Sequence, residues 1–215
     1  MALRLSLCSA QEYAAQDFLL KNRINCVKST SAGRLFDAMS ALLGSKRVNT
    51  FEGEAATALE YAAQKYLKKQ GWPDLTAPGI HALPAVCPSD APEILSPGSG
   101  GQVITHLSDR FFTVGDTASL IRQLIGVSSA EYGAALFHEY LAQSILAGCR
   151  RAGEMTGLET VALSGGCFQH RALTRRARDL LEKDGFHVLL HSLVPPNDGG
   201  VALGQAVYGL YSHSA

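Results

Sequence analysis

The sequence predicts an α/β fold in which helices cross over between parallel strands, and three observations carry that prediction. Residues 161–215 alternate strand, helix, strand and helix patterns at the spacing of parallel crossover units. Both strand exits there carry paired glycines, at 165–166 and 199–200, and each pair feeds a helix start. Upstream, apolar residues recur at the i, i+4, i+7 spacing of packed helices.

Residues 33–44 place Leu35, Met39, Leu42 and Leu43 on one helical stripe, with Gly44 as the stop. The loop SKRVNTFEG ends on Gly53. A second helix over 54–69 sets Ala55, Ala58, Leu59, Ala62, Ala63 and Tyr66 on one face and closes with Lys68 and Lys69, where cations suit the helix dipole. Residues 71–101 hold six of the eight prolines together with Gly98, Gly100 and Gly101. They predict an irregular Pro/Gly-rich insertion running over the surface, outside the core. QVITHL (102–107) predicts a strand, and 116–125 a short helix capped by Asp116. In SSAE (128–131), Ser128 and Glu131 form a capping box that opens the longest helix, with Phe137, Leu141 and Ile145 down one face. A strand over 161–163 leads through Ser164-Gly165-Gly166 into a helix carrying Leu173, Ala177, Leu180 and Leu181 on one side, ended by Gly185. FHVLLHSLV then predicts a strand, and PPNDGG turns the chain into a final helix with Val201, Ala202, Ala206, Val207 and Leu210. No internal repeat is visible.

Composition narrows the function classes. The chain has 215 residues, 47% hydrophobic and 18% charged, which excludes an intrinsically disordered protein. Lys plus Arg equals Asp plus Glu at 19 each, so no overall positive field draws the chain to nucleic acid. The five cysteines (Cys8, Cys26, Cys87, Cys149, Cys167) are odd in number and form no C-x-x-C pair. They suggest small hydrophobes in a reducing compartment rather than a zinc site or a disulfide framework. No apolar run reaches the length of a membrane span, and Arg4, Glu12 and Asp17 spoil a signal peptide, so a cytoplasmic location is expected.

The two glycine turns carry the chemistry. Glycine lets a backbone approach a phosphate or a planar base, and a helix N-terminus offers unpaired N–H groups to an anion. A plain tight turn has the same pattern, and neither a Walker motif nor G-x-G-x-x-G is present. Asp198, between Asn197 and Gly199-Gly200, reads either as the N-cap of the final helix or as a hard oxygen ligand for a divalent metal carrying a phosphate. One carboxylate is too few for a metal site. His187 and His191 add nothing, since i and i+4 on a strand lie about 13 Å apart.

Five segments, SAGRLFDAMSALLG, FEGEAATALEYAA, FHEYLAQSI, VALSGGCFQHRAL and VPPNDGGVALGQAV, stand in that order. Together they resemble the C-terminal end of the HypF carbamoyltransferases, which mature nickel–iron hydrogenases. The resemblance runs from about residue 25 to 210, weakest over 71–101, and divides the chain into a poorly matched segment 1–24 and a lobe over 25–215. It implies the second lobe of an actin/Hsp70/sugar-kinase (ASKHA) fold, a parallel-rich sheet packed with helices. It implies ATP-dependent chemistry on carbamoyl phosphate. A carbamoyl-adenylate forms, and its carbamoyl group passes to the C-terminal cysteine of a HypE-like acceptor protein.

By the same resemblance Asp37 contacts the nucleotide ribose, Gly53 lines that pocket, Gly165 and Gly166 turn over the nucleotide, and Asp198 binds a divalent metal, Mg or Fe. These assignments suit the chemistry, because ribose hydroxyls favour a carboxylate acceptor and close approach favours glycine. The family usually places Asn at position 170, where it reads the base; this chain has His170. An imidazole stacks or makes one hydrogen bond but lacks the amide's paired donor and acceptor, so a surface-exposed histidine without a ligand is the alternative. Cys167 stands where the family is apolar and reads as a Val-sized filler rather than a nucleophile.

The resemblance also implies parts that this sequence does not carry: a first lobe with a histidine pair for the metal, and a YrdC-like domain that makes the adenylate. Two expectations follow. The chain is a carbamoyltransferase lobe completed by a separate polypeptide, or it is a non-catalytic scaffold that keeps the fold and a partner surface. A tRNA-modifying relative fits less well, since PPNDGG and FEGEAA follow the HypF pattern. An open inter-lobe face would leave a large apolar patch exposed.

Overall fold

Seven helices and four short strands succeed one another in the computed structural model, which describes residues 7–27, 29, 31–76, 86–88, 112–114, 117–127 and 129–212. In order they are α1 (Ala10–Lys21), α2 (Ala32–Leu42), α3 (Glu54–Gln70), β1 (Val86–Pro88), β2 (Phe112–Val114), α4 (Thr117–Ile125), α5 (Ala130–Thr156), β3 (Thr160–Leu163), α6 (Arg171–Lys183), β4 (His187–Leu190) and α7 (Val201–Ser212). Two 3-10 turns, Gly166–Gln169 and Asp198–Gly200, sit at the two glycine pairs.

The core is built around α5. Its residues Gly133 to Tyr140 are all buried, because α3 and α6 pack along α5, with α2, β1 and β2 adding to the cover. Small residues allow the approach. An added side chain at Gly133 would lie 2.7 Å from a Leu43 methyl carbon, and Ala55, Ala56 and Ala63 of α3 are buried in the same packing. Phe36 and Met39 of α2, Leu59 of α3, Leu120 and Leu124 of α4, and Leu173, Ala177 and Leu181 of α6 complete the apolar cluster. Burying a side chain such as Leu or Phe is worth about 1.5–3 kcal/mol, so this cluster carries the fold.

β3 and β4 pair in parallel, Thr160 opposite His187 through Leu163 opposite Leu190, with α6 as the crossover between them. β1 and β2 pair antiparallel, Val86 opposite Val114. The fold is thus a helix-rich α/β arrangement with a small parallel sheet. Among the described residues the parallel ladder has two strands, fewer than a parallel-rich sheet implies.

Several expectations need correction. α5 begins at Ala130, so its cap is Ser129, whose hydroxyl accepts the Tyr132 N–H at 3.2 Å. Counted from that cap Glu131 is N2, one position short of N3; Ser128, its expected partner in a capping box, lies outside the described residues. The stretch 71–101 does not stay out of the core: Leu75 is buried within the apolar cluster, and the Trp72 ring lies under the Arg176 guanidinium, 5.2 Å from its centroid. Composition hides such an anchor, because one leucine among prolines gives no period. Most of that insertion, the QVITHL strand and the Asp116 cap lie outside the described residues. α1 carries a complete capping box between Ser9 and Glu12 but buries nothing. α7 also buries nothing, although its sequence contains no charged residue.

Candidate nucleotide site

Four hydrogen-bonded or stacked links tie the residues singled out above into one arc. The first joins α2 to the start of α3. The Asn49 side-chain amide donates to Asp37 Oδ1 at 3.2 Å, while its own oxygen accepts the Ala55 N–H at 2.8 Å. Asn49 therefore ties the Asp37 carboxylate to the first turn of α3, whose N-cap Gly53 is left-handed with φ 77°. Glu54 fixes the loop between them. Its carboxylate accepts the Thr50 N–H and hydroxyl and pairs with Lys46 at 2.5 Å. The Lys46 ammonium, then the Thr50 N–H, hold the Glu54 carboxyl far below the usual range, at about 2.

The second link joins α2 to the first glycine turn. The Phe36 ring, wholly buried, stacks on the His170 imidazole with centroids 4.7 Å apart. The His170 side chain is 13% exposed, which corrects the expectation of a free surface histidine: the flat ring fills the wall between α2 and α6. The third link joins the two glycine turns, the Gly165 N–H donating to the Pro196 carbonyl at 2.7 Å. Gly165 has φ 102°, a conformation that glycine alone adopts without strain. Added side chains at Gly53, Gly165 and Gly166 would meet nothing within 4 Å, so the backbone there faces open space that a ligand can enter. The fourth link is His191 Nε2 to Ser164 Oγ, 2.9 Å.

Asp198 stands exposed at the start of its 3-10 turn, while the Gly199 N–H donates to Asn197 Oδ1; the turn is capped by Asn197 and not by Asp198. Among the described residues no group of three or more His, Cys, Asp or Glu side chains is placed to hold a metal ion. Asp198 supplies a single carboxylate, able to bind through one oxygen or both, and a bound metal would need further ligands from elsewhere.

Glu60 is the participant that sequence reasoning missed. Its Oε1 accepts the Ala172 N–H at 2.8 Å, satisfying the first turn of α6, whose N-cap His170 contributes no side-chain bond. A helix beginning at a poor capping residue is a signal that some distant acceptor must serve it. Cys167 is half-buried against the core, and burial pushes its thiol up, away from thiolate. His138 of α5 is fully buried, its Nδ1 2.8 Å from the Ala134 carbonyl, and burial pushes its pKa down to about 4.

Two cavities lie apart from this arc. One of about 440 Å³ is bordered by Trp72, Leu75, Glu139, Gln143, Arg150 and Arg176, and one of about 340 Å³ by Gly153, Leu158, Asp184 and Phe186 among others. In the first, Arg176 forks onto the buried Glu139 at 2.6 and 2.8 Å. No helix among the described residues is long and apolar enough to cross a membrane.

Comparison with known proteins gives the family and the fold. Residues 3–86 and 97–205 match the family model described as carbamoyltransferase, Kae1-like domain, second subdomain. Carbamoyltransferase HypF2 of Cupriavidus necator is 35% identical over 198 residues, covering 87% of this chain and 23% of that protein. HypF of Rhodobacter capsulatus is 35% identical over 208 residues, covering 96% and 23%. A crystal structure of full-length HypF in its phosphate- and nucleotide-bound form superposes with a TM-score of 0.71 at 27% identity, over 94% of this chain and 23% of that one. The HypF of T. kodakarensis shares the fold, with a TM-score of 0.63 at 23% identity. The chain thus spans under a quarter of the length of these relatives. With a family model over most of its length, the arc of glycine turns in place and HypF structures sharing its fold, this chain belongs to the HypF carbamoyltransferase family.

Proposed function

We propose that this chain is the nucleotide-binding lobe of a HypF-type carbamoyltransferase, acting with ATP and a divalent metal in transfer of a carbamoyl group from carbamoyl phosphate, through a carbamoyl-adenylate, to a cysteine of a HypE-like acceptor. The observation that carries the reading is the Phe36–His170 stack, which brings the Asp37 helix against the Gly165-Gly166 turn. In this reading Asp37, oriented by Asn49, accepts from the ribose hydroxyls, and the bare backbone at Gly53, Gly165 and Gly166 lets the nucleotide approach closely. Asp198 offers a carboxylate to the metal, which would screen the phosphate charge. In this reading the remaining ligands and the carbamoyl chemistry come from outside these 215 residues. The exposed apolar α7 supports a partner covering that face.

Calorimetry with ATP and magnesium tests the reading. The unmutated chain is expected to bind, and Asp37→Ala to weaken binding about tenfold, the scale of a lost hydrogen bond to a charged group. Absence of binding, both alone and with the supposed partner, would leave the scaffold reading ahead.

A further inference from the structure

Arg176 is gripped from two sides. Its Nε and Nη2 fork onto Glu139 at 2.6 and 2.8 Å, and its guanidinium lies over the Trp72 ring, 5.2 Å from the centroid. Glu139 is 2% exposed in the middle of α5, and its Oε1 also accepts the Gln143 side-chain amide at 2.8 Å. Burying such a pair costs desolvation that an apolar pair of similar volume avoids, so stability alone is a weak reason for it. The grip does fix the orientation of the guanidinium. With Nε and Nη2 engaged, Nη1 takes no hydrogen bond among the described residues, and Arg176 borders the 440 Å³ cavity. Arg150 borders the same cavity, about 16 Å farther along α5 than Glu139, and also the smaller one beside it. Its Nε donates to Asp184 Oδ2 at 2.7 Å and its Nη2 to Oδ1, which again leaves Nη1 without a bond among the described residues. Between the two arginines the walls are apolar: Leu146 and Ala147 of α5, and Leu75 opposite.

We infer that this cavity is a ligand site separate from the glycine turns, for a small organic carboxylate whose oxygens take the spare Nη1 N–H groups of Arg176, with Arg150 adding charge, and whose carbon body lies on Leu75, Leu146 and Ala147. Three observations select that class. The spare edge of a fixed guanidinium matches a planar carboxylate, and such charge-assisted bonds are the strong ones. A volume of about 440 Å³ is that of a small-molecule pocket, and a bare oxyanion would leave its apolar half unfilled. The charge around the cavity is balanced, Arg150 and Arg176 against Glu139 and Asp74, which suits a single negative charge better than two. Asp74 stands exposed on the rim, and its Oδ1 accepts the Thr76 hydroxyl at 2.7 Å and the Thr76 N–H at 2.8 Å. These two bonds hold its carboxyl below the ordinary range, so its negative charge repels a dianion.

Trp72 is the chain's single tryptophan, so its indole N–H gives one NMR signal, and that signal reports on this cavity. Titrating the full 215-residue chain with benzoate at fixed ionic strength should shift it saturably, with a midpoint of about 1 mM or below. Benzyl alcohol, a similar body without the charge, should leave the signal unmoved, and inorganic phosphate should bind about tenfold more weakly or worse. Arg176→Lys keeps a cation beside Glu139 but loses the fork. That variant and Arg150→Gln should each weaken benzoate about tenfold, the scale of a lost hydrogen bond to a charged group, with urea unfolding showing that Arg150→Gln remains folded. Lys21→Gln, on α1, should change nothing. No saturable shift, binding of benzyl alcohol or phosphate as tight as benzoate, or an unchanged benzoate affinity in Arg150→Gln each overturns the inference and leaves the Arg176 fork as an anchor for residues 72–76. None of these outcomes bears on the nucleotide reading, which concerns the glycine turns.

Discussion

The Phe36 ring lies flat against the His170 imidazole, centroids 4.7 Å apart and planes within 10°. The same ring meets Phe137 edge-on at 5.0 Å, so one side chain joins α2, α5 and the glycine turn. Removing it should cost both stability and site geometry. Phe36→Ala is expected to destabilise by about 3–5 kcal/mol, because a fully buried aromatic leaves a cavity that the helices cannot close. Urea unfolding midpoints measure it, and a cost under about 1 kcal/mol would contradict the packing described.

His138 should make stability depend on pH. Its folded pKa, about 4, lies below the ordinary histidine value of 6.5, so the unfolded chain binds the extra proton more readily. Stability is then full above the unfolded value and is lost as pH falls from about 6.5 towards 4, by up to about 3 kcal/mol. Replacing His138 with Leu should flatten that portion of the curve. An unchanged slope in chemical denaturation between these pH values would count against a buried neutral ring.

Cys167 should behave as a packing residue. Burial raises its thiol pKa, leaving little thiolate near neutral pH. Iodoacetamide labelling of Cys167 is expected to be slow compared with the exposed Cys26, as mass spectrometry of the digest would show. Cys167→Val should leave ATP affinity within a factor of about two, a surface-scale effect. Complete loss of binding would give the sulfur a role that the fold does not.

α7 should drive association. Val201, Leu203, Tyr208, Leu210 and Tyr211 are all exposed on a helix that buries nothing. Light scattering should show concentration-dependent association that Leu203→Glu with Leu210→Glu reduces, with little change in the unfolding free energy of the monomer. A monomer at all concentrations would contradict it.

What the sequence made legible follows the strength of its periodic signals. The stripes of α2, α3 and α6 and the alternation through β3, α6 and β4 were readable because each helix buries one apolar stripe in the common cluster. Gly53 and Gly165 were readable because their positive φ favours glycine, and Gly166 because it stands beside one of them at a strand exit. Glu60 was not, since an acid on a helix surface looks the same whether it faces water or a helix start 112 residues away. Asn49 was hidden for the same reason, its two bonds joining segments that only packing brings together. Leu75 was masked by the prolines around it.

The most direct test of the central claim is an NMR titration of the chain with ATP and magnesium, following backbone amides. The nucleotide reading predicts shifts concentrated at Gly53, Gly165, Gly166 and His170, weakened by Asp37→Ala. Shifts confined to Trp72, Arg150 and Arg176 around the 440 Å³ cavity, or no shifts at saturating ATP, would contradict it.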